Sequence, residues 1–211
     1  MICADIAPGI RLDSRRAVFF ADLRLLVVSD LHWGYAASHR AAGNLLPEWG
    51  DEVIARTLDA LIADHQPAEM LWLGDSLHTL KGREHAEHYL QRASVPVTIL
   101  PGNHDARWSA VSAERVLVRE PFVFHHGDHG TPPLAPGTTE VVGHYHPAFS
   151  WSDGAGGRLK LPALVHGPAR LILPAFSPWA AGTPWNQRLQ LDEKLWVVSA
   201  RRVFAVTAPV A

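Results

Sequence analysis

Residues 97–105 read VTILPGNHD, and this stretch decides how the rest of the chain is interpreted. Its first four residues form a short apolar run, which predicts a buried strand. The proline and glycine then end the strand and open a tight loop. Asn103, His104 and Asp105 therefore follow the end of a strand, and loops at such positions often carry binding or catalytic residues.

The same arrangement, an apolar run followed by Asp, His or Asn, occurs five times along the chain. The clusters contain Asp30 with His32, Asp75, Asn103 with His104, His126, and His144 with His146. Side chains two residues apart point to the same side of a strand, so the residues paired within the first and last clusters can converge. A single Asp or His is usually just a hydrogen-bonded core residue, but five such clusters at strand ends predict a shared site.

The order of the predicted elements indicates the fold class. In residues 16–105, strands alternate with two predicted helices, one opened by Pro47 and ending near His65, the other over 83–92. This alternation predicts an α/β fold with some parallel strands. Asp22 is the expected turn residue of a hairpin. The predicted strands of this half cover residues 17–20, 23–28, 69–73 and 97–100.

Helical patterns fade in the second half, and short strands follow one another. No internal repeat, linker or domain boundary is visible, so we expect one domain over residues 1–211. The segment 174–184, rich in Pro, Trp and Gly, either shapes a pocket or seals a sheet edge. The predicted strands of this half cover residues 115–119, 122–125, 140–142, 158–161, 164–166, 170–173, 195–198 and 203–206.

Composition limits the class of protein. The net charge of −2 gives no reason to expect a strongly basic nucleic-acid surface, although a local patch can hide in a balanced total. Cys3 is the sole cysteine and cannot form an internal disulfide, which favours a reducing compartment. We find no signal peptide and no membrane-spanning run, and therefore expect a cytoplasmic protein.

The clustered side chains are carboxylates, an amide and imidazoles, without thiolates. This set suits Mn, Fe or Zn better than copper(I) or an iron–sulfur cluster. It also exceeds what one four-coordinate zinc needs, so two divalent ions about 3.5–4 Å apart, bridged by one carboxylate, are the natural use. His78 and His125 adjoin clusters and are left undecided. The remaining histidines are expected to be solvated or core residues: His39, His65, His85, His88, His129 and His166.

Taken in order, these motifs resemble those of the calcineurin-like metallophosphoesterase superfamily. They are Asp30-x-His32, Gly74-Asp75, Gly102-Asn103-His104-Asp105, His126-Gly127 and Gly143-His144-x-His146. The resemblance implies a four-layer α/β/β/α sandwich of two mixed sheets. It also implies two divalent ions, Mn²⁺ first and Fe or Zn as alternatives. One would be held by Asp30, His32, Asp75 and His146, the other by Asp75, Asn103, His126 and His144.

The resemblance further implies a mechanism. Two ions would acidify a bridging water, and the hydroxide would attack phosphorus in line. His104 would stay unligated over the phosphate and donate a proton or stabilise charge, with Asp105 orienting it. Arg40, Asn103 and His104 would bind the substrate phosphate.

Finer features resemble those of a group that includes ligase-associated DNA-damage-response phosphoesterases. These features are the segment from Asp30 to Tyr35, the pair His39-Arg40 and residues 43–47. The late segment 171–177 is also similar to that group. This implies a DNA phosphodiester substrate and functional association with a DNA ligase and a helicase. Small nucleotides or other small phosphodiesters are the alternative substrates, and a non-catalytic scaffold is the alternative function. Loops 35–46 and 131–139 are expected to set specificity, and exposed tryptophans could support a homodimer.

Overall fold

The computed structural model describes residues 2–207, which contain two mixed β-sheets packed face to face. The first sheet has six strands in chain order: β1 (Cys3–Ala7), β2 (Ile10–Asp13), β3 (Ala17–Phe20), β4 (Leu25–Val28), β5 (Glu69–Leu73) and β6 (Val97–Leu100). Strands β1 to β4 pair antiparallel, and β4, β5 and β6 pair parallel. The carboxyl ends of these last three strands therefore meet at one edge.

Helices connect the parallel strands, since a parallel pair needs a crossover. Helices α1 (Tyr35–Ala41) and α2 (Gly50–His65) lie between β4 and β5, and α3 (Arg83–Arg92) lies between β5 and β6 after a 3₁₀ turn, Leu80–Gly82. Helix α1 occupies a segment that the sequence predicted as a loop. None of the helices within residues 2–207 is long and apolar enough to cross a membrane.

The second sheet has nine strands. Its main path runs β13-β10-β11-β12-β9-β8-β7, with β14 paired to β11 and β15 paired to β14. Strands β8, β9 and β12 are parallel, so the ends of β8 and β9 also meet at one edge. The strands are β7 (Val116–Arg119), β8 (Phe122–His125), β9 (Thr139–Val142), β10 (Pro147–Ser152), β11 (Arg158–His166), β12 (Arg170–Ile172), β13 (Thr183–Pro184), β14 (Lys194–Ser199) and β15 (Arg202–Thr207).

Side-chain alternation along the central strands divides the core in two. On β4, Leu25 and Val27 face the second sheet, whereas Leu26 and Val28 face the helices. Both faces of this strand are therefore buried, as its nearly continuous apolar sequence predicted. Burial of both faces fixes the register of the strand and, with it, the position of the loop that follows.

The helices cover only the outer face of the first sheet. Side chains from α2 and α3 pack there against β4, β5 and β6. The outer face of the second sheet is covered within the described residues by loop and strand side chains such as Trp185, Leu189 and Phe204. The α/β sandwich of two mixed sheets is thus confirmed. Its expected outer helical layer on the second sheet is absent from residues 2–207, as the loss of helical periodicity explains.

Strand β11 contains two predicted strands, 158–161 and 164–166, and continues through Pro162 between them. The first part of β11 pairs with β10 as far as Pro162, and from Ala163 onward it pairs with β14. Proline has no N–H to donate, so it is tolerated where the strand changes partner. The strands missed by the sequence, β1, β2, β10 and β13, are short or have weak apolar patterns. Met1 and residues 208–211 of the predicted domain lie outside the described residues.

A buried ion cluster stabilises one end of the first sheet. The Asp13 carboxylate accepts hydrogen bonds from Arg15 Nε at 2.8 Å, Arg15 Nη2 at 2.6 Å and His65 Nε2 at 2.9 Å. Burial opposes ionisation of Asp13, but these hydrogen bonds hold its pKa well below the usual value. Cys3 Sγ donates to the same carboxylate at 3.3 Å, and burial raises the pKa of this thiol to about 12.

Asp13→Asn is expected to destabilise the fold by about 3 kcal/mol at pH 7, because it removes one partner of a buried ion pair. The folded-state pKa is depressed, so the carboxylate contributes fully above its ordinary pKa of about 4 and progressively less as pH falls below it. The difference in the free energy of unfolding between wild type and variant should therefore become smaller as the pH falls from about 5 to about 3. Urea unfolding at each pH measures it.

Asp5→Asn is the matched control, because Asp5 forms an exposed ion pair with Arg11. It should have little effect on stability at any of these pH values. An Asp13→Asn effect as small as that of the control would contradict the role of the buried cluster.

Candidate functional site

The loops that follow β4, β5, β6, β8 and β9 bring the predicted site residues together. Two groups form, and within each group one ligand atom per residue lies within 4.8 Å of the others. The first group is Asp30, His32 and His146, and the second is Asp75, His126 and His144. All six were predicted from the sequence.

In the first group, a buried carboxylate is paired with an imidazole. His146 Nε2 donates to Asp30 Oδ1 at 3.0 Å, and Ser29 Oγ donates to Asp30 Oδ2 at 2.6 Å. Burial opposes ionisation of Asp30, but the hydrogen bond from His146 lowers its pKa overall. Burial lowers the pKa of His32 to about 4, so this imidazole is neutral. Its Nδ1 is buried without a hydrogen-bond partner in the described part of the chain.

In the second group, Asp75 Oδ2 lies 3.3 Å from His126 Nε2, which lies 3.3 Å from His144 Nδ1. Burial opposes the charged form of both members of the Asp75–His126 pair. Their contact nevertheless lowers the pKa of Asp75 to about 2 and raises that of His126 to about 9. His126 Nδ1 donates to the Leu73 carbonyl at 2.9 Å, which directs Nε2 into the site.

The backbone at the site is strained. Eight non-glycine residues in the described chain have positive φ, and five of them are predicted ligands. A non-glycine residue pays an energetic cost in this left-handed region and persists there only when its surroundings hold it. The strain sets the directions of these five side chains: Asp30 (φ 57°), His32 (52°), Asp75 (47°), His144 (65°) and His146 (45°).

Two glycines allow loops to lie directly against the carboxylates. A Cβ at Gly102 would overlap Asp75, and a Cβ at Gly143 would overlap Ser29 Oγ. The donor atoms at this site fit divalent cations. They belong to two nearby carboxylates and four imidazoles, and one of them, on His32, is a buried nitrogen without a hydrogen-bond partner within residues 2–207. Asn103 follows Gly102 on the same loop and is exposed, and its part as a ligand stays a prediction.

Hydrogen bonds hold both the ring and the backbone of His104. Its Nδ1 donates to the His78 carbonyl at 2.8 Å, and its backbone N–H donates to Asp75 Oδ1 at 3.0 Å. The Asp105 carboxylate instead accepts backbone N–H groups of Ser76, Leu77 and Gly102 at 2.9–3.1 Å. The predicted orienting role of Asp105 would therefore act through these backbone contacts, and it stays a prediction. The buried Asp105 ties two site loops together, and the His78 carbonyl orients His104.

Two histidines outside the predicted set border the site. The His78 ring lies 5.4 Å from that of His104 and 5.5 Å from that of His32, measured between centroids. The His39 ring stacks on His78 at 5.7 Å, although the sequence favoured a solvated or core position. His39 is on helix α1, which has only Ala36 buried, so no apolar pattern in the sequence marks its position. His65 and His125 are buried partners of Asp13 and Glu140, respectively.

Arg40, the predicted phosphate-binding arginine, contacts residues six to eight positions further along the chain. Its Nε lies 2.8 Å from Glu48 Oε1, and its Nη1 donates to the Leu46 carbonyl at 3.0 Å. Its guanidinium is half exposed, and phosphate binding by Arg40 stays a prediction.

The segment 174–184 also borders the site. The backbone N–H of Ser177 donates to the Asp30 carbonyl at 3.0 Å, and that of Phe176 donates to the Ser29 carbonyl at 2.8 Å. Both alternatives for this segment agree with the geometry, because its last two residues form β13 at one edge of the second sheet.

Comparison with known proteins agrees with this arrangement. The sequence profile described as calcineurin-like phosphoesterase matches residues 23–190. The structure resembles that of the Pseudomonas putida nuclease MPE, with 27% identity, a TM-score of 0.73, and coverage of 93% of this chain and 94% of that one. A weaker resemblance is to YfcE, a phosphoesterase from E. coli, with 16% identity, a TM-score of 0.45, and coverage of 88% and 99%. No curated protein matched the sequence.

The matched profile spans most of the chain and includes every one of the five clusters. Members of this family hydrolyse phosphate esters with divalent metals, and the two groups of Asp and His residues provide candidate ligands here. The chain is therefore a hydrolase acting on phosphate esters and belongs to the calcineurin-like phosphoesterase family.

Proposed function

We propose that the protein is a phosphodiesterase of the nuclease type that uses two divalent ions. Asp30, His32, Asp75 and His146 would hold one ion, and Asp75, Asn103, His126 and His144 the other. The observation that carries the proposal is the presence of two adjacent ligand groups on the loops that follow parallel strands of both sheets. When bound, the ions would polarise phosphate oxygens and lower the pKa of a water molecule.

The protein's own residues account for the remaining requirements of the reaction. His104 is exposed, and its Nδ1 proton is committed to the His78 carbonyl. Its Nε2 is therefore the atom that can deliver a proton to a leaving oxygen or stabilise charge on it. The orientation is fixed in advance because Asp75 holds the His104 backbone and Asp105 holds the loop that carries His78.

A subsite for the substrate phosphate is supported beside the carboxylates. Ligand atoms of His32, His78 and His104 lie within 4.8 Å of one another. Burial is the main cause of the lowered pKa of His78, and the neighbouring His104 lowers this pKa further. Within the described chain, His78 Nδ1 is buried without a partner. We assign this nitrogen to a hydrogen bond with substrate, in addition to the predicted contacts of Arg40, Asn103 and His104.

The proposed substrate is a nucleic-acid phosphodiester, DNA in the first instance. The resemblance to a nuclease over most of both chains supports this class. Small nucleotides or other small phosphodiesters are the second candidate, because a net charge of −2 offers no general attraction for a polyanion. A scaffold without activity fits less well, since all predicted ligands and His104 are retained. A role in repair beside a DNA ligase and a helicase rests on the sequence resemblance alone.

The test uses purified protein with Mn²⁺, Fe²⁺ or Zn²⁺ and bis-p-nitrophenyl phosphate. We expect hydrolysis, with Mn²⁺ as the best of the three metals. Absence of hydrolysis with every metal would overturn the catalytic proposal. Plasmid nicking and digestion of single-stranded oligonucleotides then test the substrate class. Turnover of a cyclic or dinucleotide substrate without cleavage of either DNA would select the second candidate.

A further inference from the structure

A series of aromatic rings leads away from the site along one side. We call Tyr35, His39, Trp179 and Trp49 the aromatic ladder. The Tyr35 ring lies 4.6 Å from His78, Trp179 lies 6.0 Å from Tyr35, and Trp49 lies 4.8 Å from Trp179, all between centroids. The Tyr35 and Trp179 planes differ by only 9°, and the Trp179 and Trp49 planes by 29°. The ladder thus begins one ring away from His104.

The ladder is a surface feature, unlike most aromatic side chains of this half of the chain. Trp33, Trp72 and Tyr89 are almost fully buried within the core between the first sheet and its helices. Trp49 is 44% exposed, and the other three ladder residues are partly exposed. Trp49 precedes α2 and makes no side-chain capping bond there, so helix capping does not explain its position.

Three separate segments build this surface. Tyr35 and His39 lie on α1, Trp49 lies at the start of α2, and Trp179 lies in the segment 174–184. Trp179 fits between the rings of Tyr35 and Trp49 because Gly50 leaves room for it, and a Cβ at Gly50 would overlap the indole. A near-parallel arrangement of rings contributed from distant segments, and left partly exposed, is suited to receive a further flat ring.

Flat, partly exposed rings beside a phosphate subsite match the chemistry of a nucleotide strand. Proteins that bind single strands stack bases on aromatic side chains, and each such contact contributes enough to change affinity about tenfold or more. Every base has a π face, so this recognition tolerates sequence variation. Bases within a duplex are already stacked and paired, and their faces are not accessible to such a surface.

We infer that Trp49, at the outer end of the aromatic ladder and with three rings between it and His104, stacks on an unpaired nucleobase of the strand that carries the scissile phosphate. This inference rests on the proposed phosphodiesterase function and narrows its substrate class. Trp49 presents the most exposed ring of the ladder and is the specificity-determining residue. The base contact requires no metal, so it can be measured by binding as well as by turnover.

The test compares Trp49→Leu with wild type on two oligomers of equal length, an oligothymidylate and its abasic counterpart with the same phosphodiester backbone. We expect Trp49→Leu to raise KM for oligothymidylate about tenfold with little change in kcat. Wild type should show a similarly raised KM on the abasic oligomer, and the substitution should add nothing there. Fluorescence anisotropy of a labelled oligothymidylate should give the same ratio in Kd.

Trp151→Leu is the matched control, because Trp151 is 52% exposed on the hairpin of β10 and β11, where it pairs with Leu159. It should match wild type on both oligomers. Equal effects of Trp49→Leu on both oligomers, or none on either, would overturn the base contact, as would a preference for duplex over single strand. If wild type hydrolyses no phosphodiester, the proposed function is wrong. Fluorescence anisotropy would still show whether Trp49 contacts a base.

Discussion

Asp75→Asn is expected to reduce phosphodiester hydrolysis about 10³-fold or more and to lower the bound metal from two ions to one or none. Asp75 is the one carboxylate proposed to contact both ions. Its side chain is almost fully buried, with Oδ2 facing His126 and Oδ1 fixed by the His104 amide. Asparagine keeps the size but removes the negative charge that two adjacent cations require. Losing about 4 kcal/mol of metal-derived stabilisation of the transition state corresponds to that rate change.

Metal content by mass spectrometry and kcat on bis-p-nitrophenyl phosphate measure the two effects on one preparation. Asp59→Asn supplies the control, because it makes the same chemical change in an exposed ion pair with Arg92. The control should bind two ions and retain wild-type kcat. Two ions bound to a folded Asp75→Asn protein, with activity within tenfold of wild type, would contradict a bridging role for Asp75.

The sequence predicted the bounds of three strands of the first sheet. The bounds of β3, β5 and β6 agree with the prediction, because continuous apolar runs end at turn residues. Strand β1 was missed because its sequence, CADIA, contributes only Ile6 to the buried core. Helix α1 was missed because a short polar helix lacks a recognisable apolar face.

The site was predictable to the extent that its chemistry is local in sequence. Two pairs of site residues are separated by two positions after a strand: Asp30 with His32, and His144 with His146. In the structure, these four side chains lie in the two groups of possible metal ligands. Their left-handed backbone was not predictable, because ordinary propensity disfavours that conformation for Asp and His. Contacts among distant loops stabilise it and override local preference.

The surroundings of the site depend on contacts between remote segments. Trp179 stacks on Tyr35 across more than a hundred residues of sequence, which no local pattern encodes. The Asp105 carboxylate likewise joins two loops through backbone N–H groups 28 and 29 residues away, which no local pattern encodes. Sequence motifs thus predicted which side chains converge, whereas contacts between remote segments emerged only from the tertiary structure.

His104→Ala is expected to retain both metal ions and to lower kcat by about 10²- to 10⁴-fold, the usual contribution of a general acid. Within residues 2–207, no carboxylate is hydrogen-bonded to the His104 ring, and Asp75 accepts the His104 backbone N–H, which alanine keeps. The ring is exposed, so its removal should not affect folding. His88→Ala, at an exposed position on α3, is the matched control and should leave metal content and kcat unchanged.

The identity of the leaving group separates the two roles considered for His104. p-Nitrophenolate is a stable anion that departs without a proton, whereas an alkoxide from a sugar requires one. If Nε2 donates a proton, the kcat loss in His104→Ala should be larger for an oligonucleotide or an alkyl phosphodiester than for bis-p-nitrophenyl phosphate. A loss of equal size on all substrates would assign His104 to charge stabilisation alone. Loss of either metal ion from His104→Ala would contradict both roles, because it would make the ring a ligand.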